Sequence, residues 1–405
     1  MKSLPLIQQS SKNEDVDAQH DLGADGFSRR RWMQLMGAST ALGAAAVGCR
    51  YEQETIRPFA VRPEGYIPGV TVKKSALCEI GRVARSLVAT IYDGRPIKVD
   101  GNALLKSQGV ASSSLVQALT LQLYDPDRSR GVMARVKTGS KSSRLEKSTR
   151  EQFDAKLAEF LGSDASGAGG AGLAVLVEPT SSPTVARLKA AFLQKYPGAG
   201  WFEYAAVNDD AVVAGLQMCF SSPFRPRYRF DNAEVIVALG GDPFGSDLNS
   251  PEHARDFAKT RDVDVRRKMS RLWSVGNVMN VTAGLADERL PLAASKLESF
   301  VASLEQALGG AYTPSGKETD ADRFLVAMAA DLNANKGHAI IVLGSEYPAS
   351  LHARVWKLNE ALGAVGSTVE LRECLPLHGG GSLASLKSLS DALDSGSVKG
   401  LFVIG

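Results

Sequence analysis

A continuous apolar run, Val235–Leu239, constrains the fold of this chain more than any other feature of its sequence. The run is rich in β-branched residues, shows no alternation of polar and apolar positions, and is closed by Gly240 and Gly241 ahead of Asp242. Strands that are buried on both faces of a parallel sheet have this pattern. The sequence therefore predicts a buried parallel strand that ends in a glycine turn.

Similar apolar runs recur along the chain, and helical patterns lie between most of them, which is typical of α/β folds. The further predicted strands are Leu173–Val177, Trp201–Val207, Leu272–Val275, His338–Leu343, Thr368–Leu371 and Leu401–Ile404. Ligands of such sheets bind outside the carboxyl ends of the strands. Gly240, Gly241 and Asp242 are therefore candidate cleft residues, together with the turn Gly344–Glu346. Because neither turn has the full G-x-G-x-x-G spacing, a plain tight turn is the alternative interpretation.

Length and composition narrow the class of protein. A chain of 405 residues predicts about two to three domains. An apolar share of 44% with 22% charged residues is typical of a folded body. A net charge of +3 gives no reason to expect nucleic-acid binding. The one arginine-rich stretch, Phe224–Phe230, contains Pro226 and follows Pro223, so we expect an extended loop, either solvated or in contact with a partner protein.

Cysteines and histidines show no spacing typical of metal ligands. The four cysteines are Cys49, Cys78, Cys219 and Cys374, and no two of them form a C-x-x-C pair. A sequence-local zinc or iron–sulfur site is therefore not expected, and four cysteines are too few for a disulfide framework. No two of the five histidines are spaced i, i+4, so solvated or core histidines are favoured over haem or metal ligands.

The amino-terminal region has the features of an export signal. Residues 1–27 are polar and of mixed charge, which predicts a disordered leader. Ser28, Arg29 and Arg30 precede an uncharged run, Leu35–Gly48, that is too short to cross the ~30 Å hydrocarbon core of a membrane. The two arginines resemble a twin-arginine signal, and the alternative is a basic patch ahead of a buried helix. The run ends at Cys49 in a sequence that resembles a lipoprotein box, so Cys49 is either a lipid anchor or a plain cysteine.

These patterns divide the chain into four predicted parts. Residues 1–50 are the leader and signal, and residues 51–130 are a proline-rich linker followed by a small β-rich subdomain. The subdomain contains a hairpin in which Asp93 and Gly94 form the turn. Residues 131–320 are an α/β domain, and residues 321–405 are a second α/β lobe. Because the chain stops directly after a predicted strand, we expect it to be a fragment or a split gene product.

Taken in order, several short stretches resemble the molybdopterin oxidoreductase superfamily, and within it the B subunit of alternative complex III, a quinol-oxidising membrane complex. The matching stretches are Ser28–Cys49, Tyr92–Asn102, Leu123–Arg128, Arg255–Ala258, Thr282–Arg289 and Glu360–Gly366. Each stretch is weakly specific alone, and the set gains specificity from its order and spacing. The resemblance implies Rossmann-like parallel-sheet domains of the molybdopterin oxidoreductase type, with a small N-terminal β-rich subdomain.

The resemblance also implies what this segment lacks. Active members of the superfamily carry a four-cysteine cluster motif ahead of the hairpin, where this chain keeps only Cys78. One thiolate cannot hold a four-iron cluster. The loop with which active members grip the nucleotide tail of the cofactor corresponds to Arg289–Lys296, which has no glycine and no acid. We therefore expect no catalytic, cofactor or metal residues in this segment, and iron–sulfur clusters in a C-terminal part that is not present here.

The function implied by the resemblance is that of a structural subunit, or the N-terminal part of one, in a membrane-associated quinol:electron-acceptor oxidoreductase. Its partners would be membrane subunits and a multihaem cytochrome, with no nucleic acid. It would lie on the periplasmic face of the inner membrane after twin-arginine export. Two alternatives stay open: an active molybdopterin oxidoreductase that uses unrecognised residues, and a lipid-anchored periplasmic solute-binding protein. A solute-binding protein has no need of the hairpin subdomain.

Overall fold

The computed structural model describes residues 67–80, 82–105, 111–137, 142–163, 167–264, 268–314, 316–374 and 377–405. The predicted export signal at Ser28, Arg29 and Arg30 lies outside these residues, as does the candidate lipid anchor Cys49. Both remain predictions, as do the predicted domain boundaries.

From Leu173 onward, strands and helices mostly alternate, as the apolar runs predict. The strands are β1 (Val72–Ile80), β2 (Val83–Tyr92), β3 (Arg95–Gly101), β4 (Met133–Lys137), β5 (Ser143–Lys147), β6 (Leu173–Val177), β7 (Gly200–Glu203), β8 (Phe224–Tyr228), β9 (Val235–Leu239), β10 (Arg271–Gly276), β11 (Glu288–Pro291), β12 (Ala339–Leu343), β13 (Val369–Glu373) and β14 (Gly400–Ile404). The α-helices are α1 (Ser114–Leu123), α2 (Arg150–Gly162), α3 (Pro183–Lys195), α4 (Asp210–Phe220), α5 (Ser250–Arg261), α6 (Val281–Leu285), α7 (Leu297–Leu308), α8 (Asp320–Ala334), α9 (Ala349–Ala361) and α10 (Ser382–Asp394).

Strand β9 is an inner strand of a four-stranded parallel sheet whose order is β11-β10-β9-β12. All five of its residues are buried, and so are all five residues of its neighbour β12. Val235 is paired with Arg271 on one side and with Ala339 on the other. The predicted buried strand Val235–Leu239 is therefore confirmed, and an apolar run without alternation marks a strand covered on both faces.

Alternate residues of β9 enter two different cores. Val235, Val237 and Leu239 belong to the cluster that the apolar faces of α7, α8 and α9 complete. Ile236 belongs to a second cluster on the opposite face of the sheet, with Phe230 and other aromatic side chains. Because successive side chains of a strand point to opposite faces, one short run supports both layers of helices.

The remaining strands form four smaller sheets. A second parallel sheet has the order β14-β6-β7, and the amino-terminal part of the described chain forms an antiparallel sheet with the order β1-β2-β3. Two antiparallel ribbons, β8–β13 and β4–β5, complete the set. The predicted fold class is confirmed: the protein is α/β, with parallel sheets and a small N-terminal β-rich part.

Two predicted segments form a ribbon that the sequence did not predict. The arginine-rich stretch is not a loop, because Phe224–Tyr228 forms strand β8 and pairs antiparallel with β13. Pro226 lies opposite Leu371 there, and a two-stranded ribbon tolerates a proline because each strand has an unpaired edge. The run at Thr368–Leu371, predicted as part of a parallel sheet, is the partner strand of this ribbon.

The strand predicted over Trp201–Val207 ends earlier than expected, at Glu203. Its neighbour β6 ends at Val177, which is paired with Glu203, so β7 has no strand partner beyond that point. The Ala205 N–H instead donates to Ser382 Oγ at 3.3 Å. Among the described residues no helix combines the length and apolar character that crossing a membrane requires.

Candidate functional site

The crevice predicted at the carboxyl end of β9 lies where the order of strands reverses. From β9 the chain adds β10 and β11 on one side, and it later adds β12 on the other. In α/β sheets this switch point is where ligands bind. A cavity of about 150 Å³ lies here, and its walls include Asp209, Arg225, Tyr228, Gly241, His253 and Glu346.

The glycine turns of the crevice are covered by side chains of the protein itself. Gly240 has a φ of +68°, and a Cβ atom at this position would overlap the ring of Tyr347. A Cβ on Gly241 would lie 3.0 Å from the Cα of Gly344. A Cβ on Gly344 would lie 2.5 Å from a carboxylate oxygen of Glu346. The glycines thus allow close approach, and the groups that approach are Tyr347, Glu346 and the facing turn.

The candidate residue Asp242 serves the fold at this turn. Its Oδ1 atom accepts hydrogen bonds from the N–H and the hydroxyl of Thr282, at 2.9 and 2.7 Å. Its Oδ2 atom accepts from the N–H of Ser246 at 2.9 Å. Because Thr282 is in the first turn of α6, the carboxylate satisfies backbone donors that would otherwise lack partners.

The polar wall of the crevice is largely engaged in protein contacts. Arg225 forms an ion pair with Asp209, with Nη2 and Oδ1 3.0 Å apart. His253 is buried, and its Nδ1 atom lies 3.0 Å from the carbonyl oxygen of Pro243. Burial raises the pKa of Tyr228, and the nearby acids Asp247 and Asp209 raise it further. The Arg225 pair joins β8 to the residue that precedes α4, and the His253 contact joins α5 to the turn after β9.

The cavity beside Gly241 is smaller than the pockets that usually hold cofactors. Pockets for drug-sized and cofactor ligands measure about 300–1,000 Å³, which exceeds the cavity of about 150 Å³. A pyrophosphate that approached Gly240 would also have to displace the ring of Tyr347.

His352 of α9 supports the same crevice from inside the protein. The residue is 3% exposed, its ring bonds to the backbone of Gly344, and its Nε2 atom has no protein partner among the described residues. Burial lowers the pKa of His352 to about 4 and outweighs the opposite effect of that hydrogen bond. The imidazole is therefore neutral near pH 7, in agreement with the expectation of core histidines.

Cys78, the residue at the position of the superfamily's cluster motif, lies in β1 opposite Arg85 of β2. The thiol is half-buried, and burial raises its pKa although Arg85 acts in the opposite direction. Within the described ranges, no group of three or more His, Cys, Asp or Glu side chains could hold a metal ion. The residues around Cys78 therefore do not fit an iron–sulfur cluster.

Three charged side chains beside Cys78 connect the β1–β2 hairpin to the α/β part. Glu79 accepts hydrogen bonds from Thr180 Oγ1 at 2.6 Å, and from the N–H and hydroxyl of Ser181 at 2.5 and 2.9 Å. These donors directly precede α3, so the carboxylate lies where the helix dipole favours negative charge. The hairpin is thereby joined to the second parallel sheet.

Arg82 and Arg85 make the other two connections. The guanidinium of Arg82 pairs with Glu203 at 3.3 Å and with Asp210 at 3.2 Å. Arg85, which is 8% exposed, pairs with Glu252. It also donates to the carbonyl of Leu248 at 2.6 Å and to Asn249 Oδ1 at 3.0 Å. No local spacing in the sequence signals these contacts, because the partners are 121 to 167 residues away.

Glu203 is shared by several cations. Lys189 Nζ lies 3.0 Å from its Oε1 atom and 3.2 Å from Nδ1 of His378. Burial alone would raise the pKa of Glu203, but the hydrogen bond from Lys189 and the charges of Lys189, His378 and Arg82 outweigh it and lower the pKa. Glu203 therefore stays ionised as the centre of a charged cluster between the hairpin, α3 and β7.

Comparison with known proteins supports the fold. The sequence matches no protein-family model and no curated protein. Acetylene hydratase from Pelobacter acetylenicus is a similar solved structure, with 14% identity and a TM-score of 0.52 over 74% of this chain and 45% of that chain. A second is the formyltransferase/hydrolase complex from Methylorubrum extorquens, with 20% identity and a TM-score of 0.33 over 48% of this chain and 51% of that chain.

The chain thus spans less than half the length of acetylene hydratase. The likeness to that structure agrees with the predicted fold of the molybdopterin oxidoreductase type. At this identity it shows the fold alone.

Proposed function

We propose that this chain is a structural subunit, or the N-terminal part of one, of a membrane-associated quinol:electron-acceptor oxidoreductase that resembles alternative complex III. In this proposal the chain keeps the architecture of a molybdopterin oxidoreductase and contributes a scaffold. Any iron–sulfur clusters belong to a further C-terminal part. The partners are membrane subunits and a multihaem cytochrome, and the location is the periplasmic face of the inner membrane.

The observation that carries the proposal is the charged hairpin. A four-iron cluster needs about four thiolates, and the hairpin offers Cys78 alone. Arg82 and Arg85 instead pair with carboxylates of the α/β part. Moving either arginine aside for a cluster would leave a half-buried carboxylate without its partner, which costs about 3–5 kcal/mol when a buried pair is broken. The hairpin is therefore suited to joining two parts of the fold.

The crevice supports the same conclusion. Its glycine turns are in contact with Tyr347 and Glu346, and its carboxylates bond to backbone donors and to Arg225. The chain thus fills with its own side chains the crevice in which ligands of α/β sheets bind.

Metal analysis tests this proposal. The full chain, produced in a molybdenum-replete host under anaerobic conditions and separated from other subunits, should contain far less than one molybdenum and one iron per chain. Cys78→Ser is the matched variant and should have the same metal content. Stoichiometric molybdenum would instead favour an active molybdopterin oxidoreductase, and iron that is lost in Cys78→Ser would assign Cys78 as a ligand.

Export and lipidation are tested separately. Changing Arg29 and Arg30 together to lysine should retain the protein in the cytoplasm, and unchanged export would remove the twin-arginine assignment. Mass spectrometry of the mature amino terminus should find acylated Cys49. A mature chain that begins elsewhere, or an unmodified Cys49, would show that the lipoprotein-like sequence is coincidental.

A further inference from the structure

The antiparallel ribbon β4–β5 differs from the other sheets in what it leaves uncovered. It pairs with no other described strand, and eight of its ten residues are exposed. Two-stranded ribbons alone in water are at best marginally stable. The large apolar side chains Met133, Val136 and Leu145 are 46%, 38% and 60% exposed.

The register of the ribbon sorts its side chains onto two faces. Residues directly opposite each other in an antiparallel pair share a face, and the faces alternate along each strand. One face, here called the basic face, carries Met133, Arg135, Lys137, Ser143, Leu145 and Lys147. The other face carries Ala134, Val136, Arg144 and Glu146, and on it Arg144 and Glu146 form an ion pair at 2.7 Å.

The basic face combines unpaired cations with apolar side chains. It contains Arg135, Lys137 and Lys147 and no carboxylate. None of these three cations forms an ion pair with a carboxylate in the described ranges. Met133 and Leu145 lie among them on the same face. The face therefore presents concentrated positive charge interleaved with aliphatic groups.

We propose that the basic face binds the surface of a bilayer that contains anionic phospholipid. Lysine and arginine close to such a surface are attracted to the headgroups, and their aliphatic stems lie along the apolar boundary while the charges stay in water. Met133 and Leu145 would enter the headgroup–acyl boundary and lose contact with water. Lysine is depleted at protein–protein interfaces, so the two lysines of this face favour lipid over an acidic protein.

This inference goes beyond the proposed function, since it concerns a surface of this chain whatever complex the chain joins. The scaffold proposal is tested by metal content, which the ribbon does not affect. The failure of either proposal therefore leaves the other in place.

Vesicle binding tests the inference. The full chain with Cys49→Ser, which removes any acyl group, is mixed with vesicles of phosphatidylcholine alone or of phosphatidylcholine with about one third phosphatidylglycerol. Neutralising three basic residues in R135Q/K137Q/K147Q should weaken binding to the anionic vesicles about a hundredfold, because each contributes about fivefold. M133S/L145S should weaken binding about tenfold, since partly buried aliphatic area is lost.

The matched control removes the same charge from another place. Lys336, Lys357 and Lys387 are exposed on the α/β part, and K336Q/K357Q/K387Q should change binding less than about threefold. Circular dichroism and thermal unfolding check that each variant is folded. Three outcomes would overturn the proposal: equal binding to neutral and anionic vesicles, equal loss in the control and ribbon variants, or binding of an acidic polymer such as heparin without binding to anionic vesicles.

Discussion

The β1–β2 hairpin and the crevice between β9 and β12 are stabilised by different means. The hairpin meets the α/β part through full charges, with Arg82 and Arg85 paired to carboxylates. The crevice has one ion pair in its wall, Arg225–Asp209, and is closed by glycine turns against Tyr347 and Glu346, with His352 behind the turn at Gly344.

The difference shows that two regions of one fold can be stabilised by different interactions, the hairpin mainly by ion pairs and the crevice mainly by close packing at glycines. Buried charges need partners wherever they lie, so the hairpin depends on distant acidic residues. Glycines that allow close approach need only a group that fills the space, and Tyr347 and Glu346 do so within the crevice itself. The hairpin should therefore respond to changes of charge, and the crevice to changes of volume and of imidazole protonation.

Breaking the pair of Arg85 and Glu252 should have the largest effect. Arg85→Ala leaves a half-buried carboxylate and two acceptors without a donor, and should lower the free energy of unfolding by about 3–5 kcal/mol. Arg144→Ala, which removes the exposed pair with Glu146, should cost less than about 1 kcal/mol. Urea unfolding measures both. The double variant R85M/E252L should be more stable than R85M alone, and a less stable double variant would contradict the uncompensated charge as the cause.

As the pH falls, the protein should lose stability at the crevice before it does so at the hairpin. Below pH 6.5 the unfolded chain binds a proton at His352, which the folded chain does not take up until the pH approaches about 4. Protonation of His352 therefore does not reduce the free energy of unfolding above pH 6.5. It lowers that free energy by about 3 kcal/mol as the pH drops to about 4. His352→Asn, which keeps a donor for Gly344 but cannot be protonated, should flatten this dependence in urea unfolding across that range. Exposed His338 provides a control for the substitution itself, since His338→Asn should cost less than about 0.5 kcal/mol at pH 7.

Adding a methyl group at Gly240 tests the close approach of Tyr347. Gly240→Ala forces an L side chain to a positive φ and moves the end of the Tyr347 ring, with an expected loss of about 2 kcal/mol. In a Tyr347→Ala background the same change should cost about 1 kcal/mol, because only the backbone contribution remains. Thermal and urea unfolding of the wild type, the two single variants and the double variant gives the coupling free energy between Gly240 and Tyr347. Equal costs in both backgrounds would mean that the ring does not determine the need for glycine.

Neutralising Glu203 should have the smallest effect on the free energy of unfolding. This effect should depend on pH over a different range from that of His352. Arg82 keeps Asp210 as a partner in Glu203→Gln, so we expect a loss of about 1 kcal/mol near pH 7. Since the folded-state pKa of Glu203 is lowered, this contribution is present above its usual value of 4.5 and is lost as the pH falls through the lowered pKa. The wild-type and variant unfolding curves should therefore converge in acid. Glu146→Gln, at the exposed pair with Arg144, is the control for loss of a carboxylate and should cost less than about 0.5 kcal/mol near pH 7.

The sequence predicted those parts of the fold that depend on local pattern. Uninterrupted apolar runs located β6, β9 and β12, because a strand covered on both faces has no polar position. The glycine turns at Gly240 and Gly344 were each predicted at the carboxyl end of a strand, and the structure brings them into one crevice because β9 and β12 are neighbours. Strand β8 was predicted as a loop because proline and arginine disfavour an inner strand, and the partner strand that accepts them lies far along the chain.

The contacts of the hairpin could not be predicted from the sequence. Glu79, Arg82 and Arg85 read as surface charges of a small antiparallel sheet until their distant partners are known. The burial of His352 likewise depends on the packing of α9 against the sheet. Long-range pairing and helix packing leave no periodic signal near the residues that they position.

The separation in sequence between the hairpin and its partners has a consequence for the order of folding. Arg85 precedes Glu252 by 167 residues, so a ribosome that adds about 5–20 residues per second completes this pair on the order of ten seconds after Arg85 is added. Closing so long a loop also carries an entropic cost that local strands do not bear. We expect the β1–β2–β3 sheet to dock only after α5 has been synthesised, which makes its attachment a late event of biogenesis.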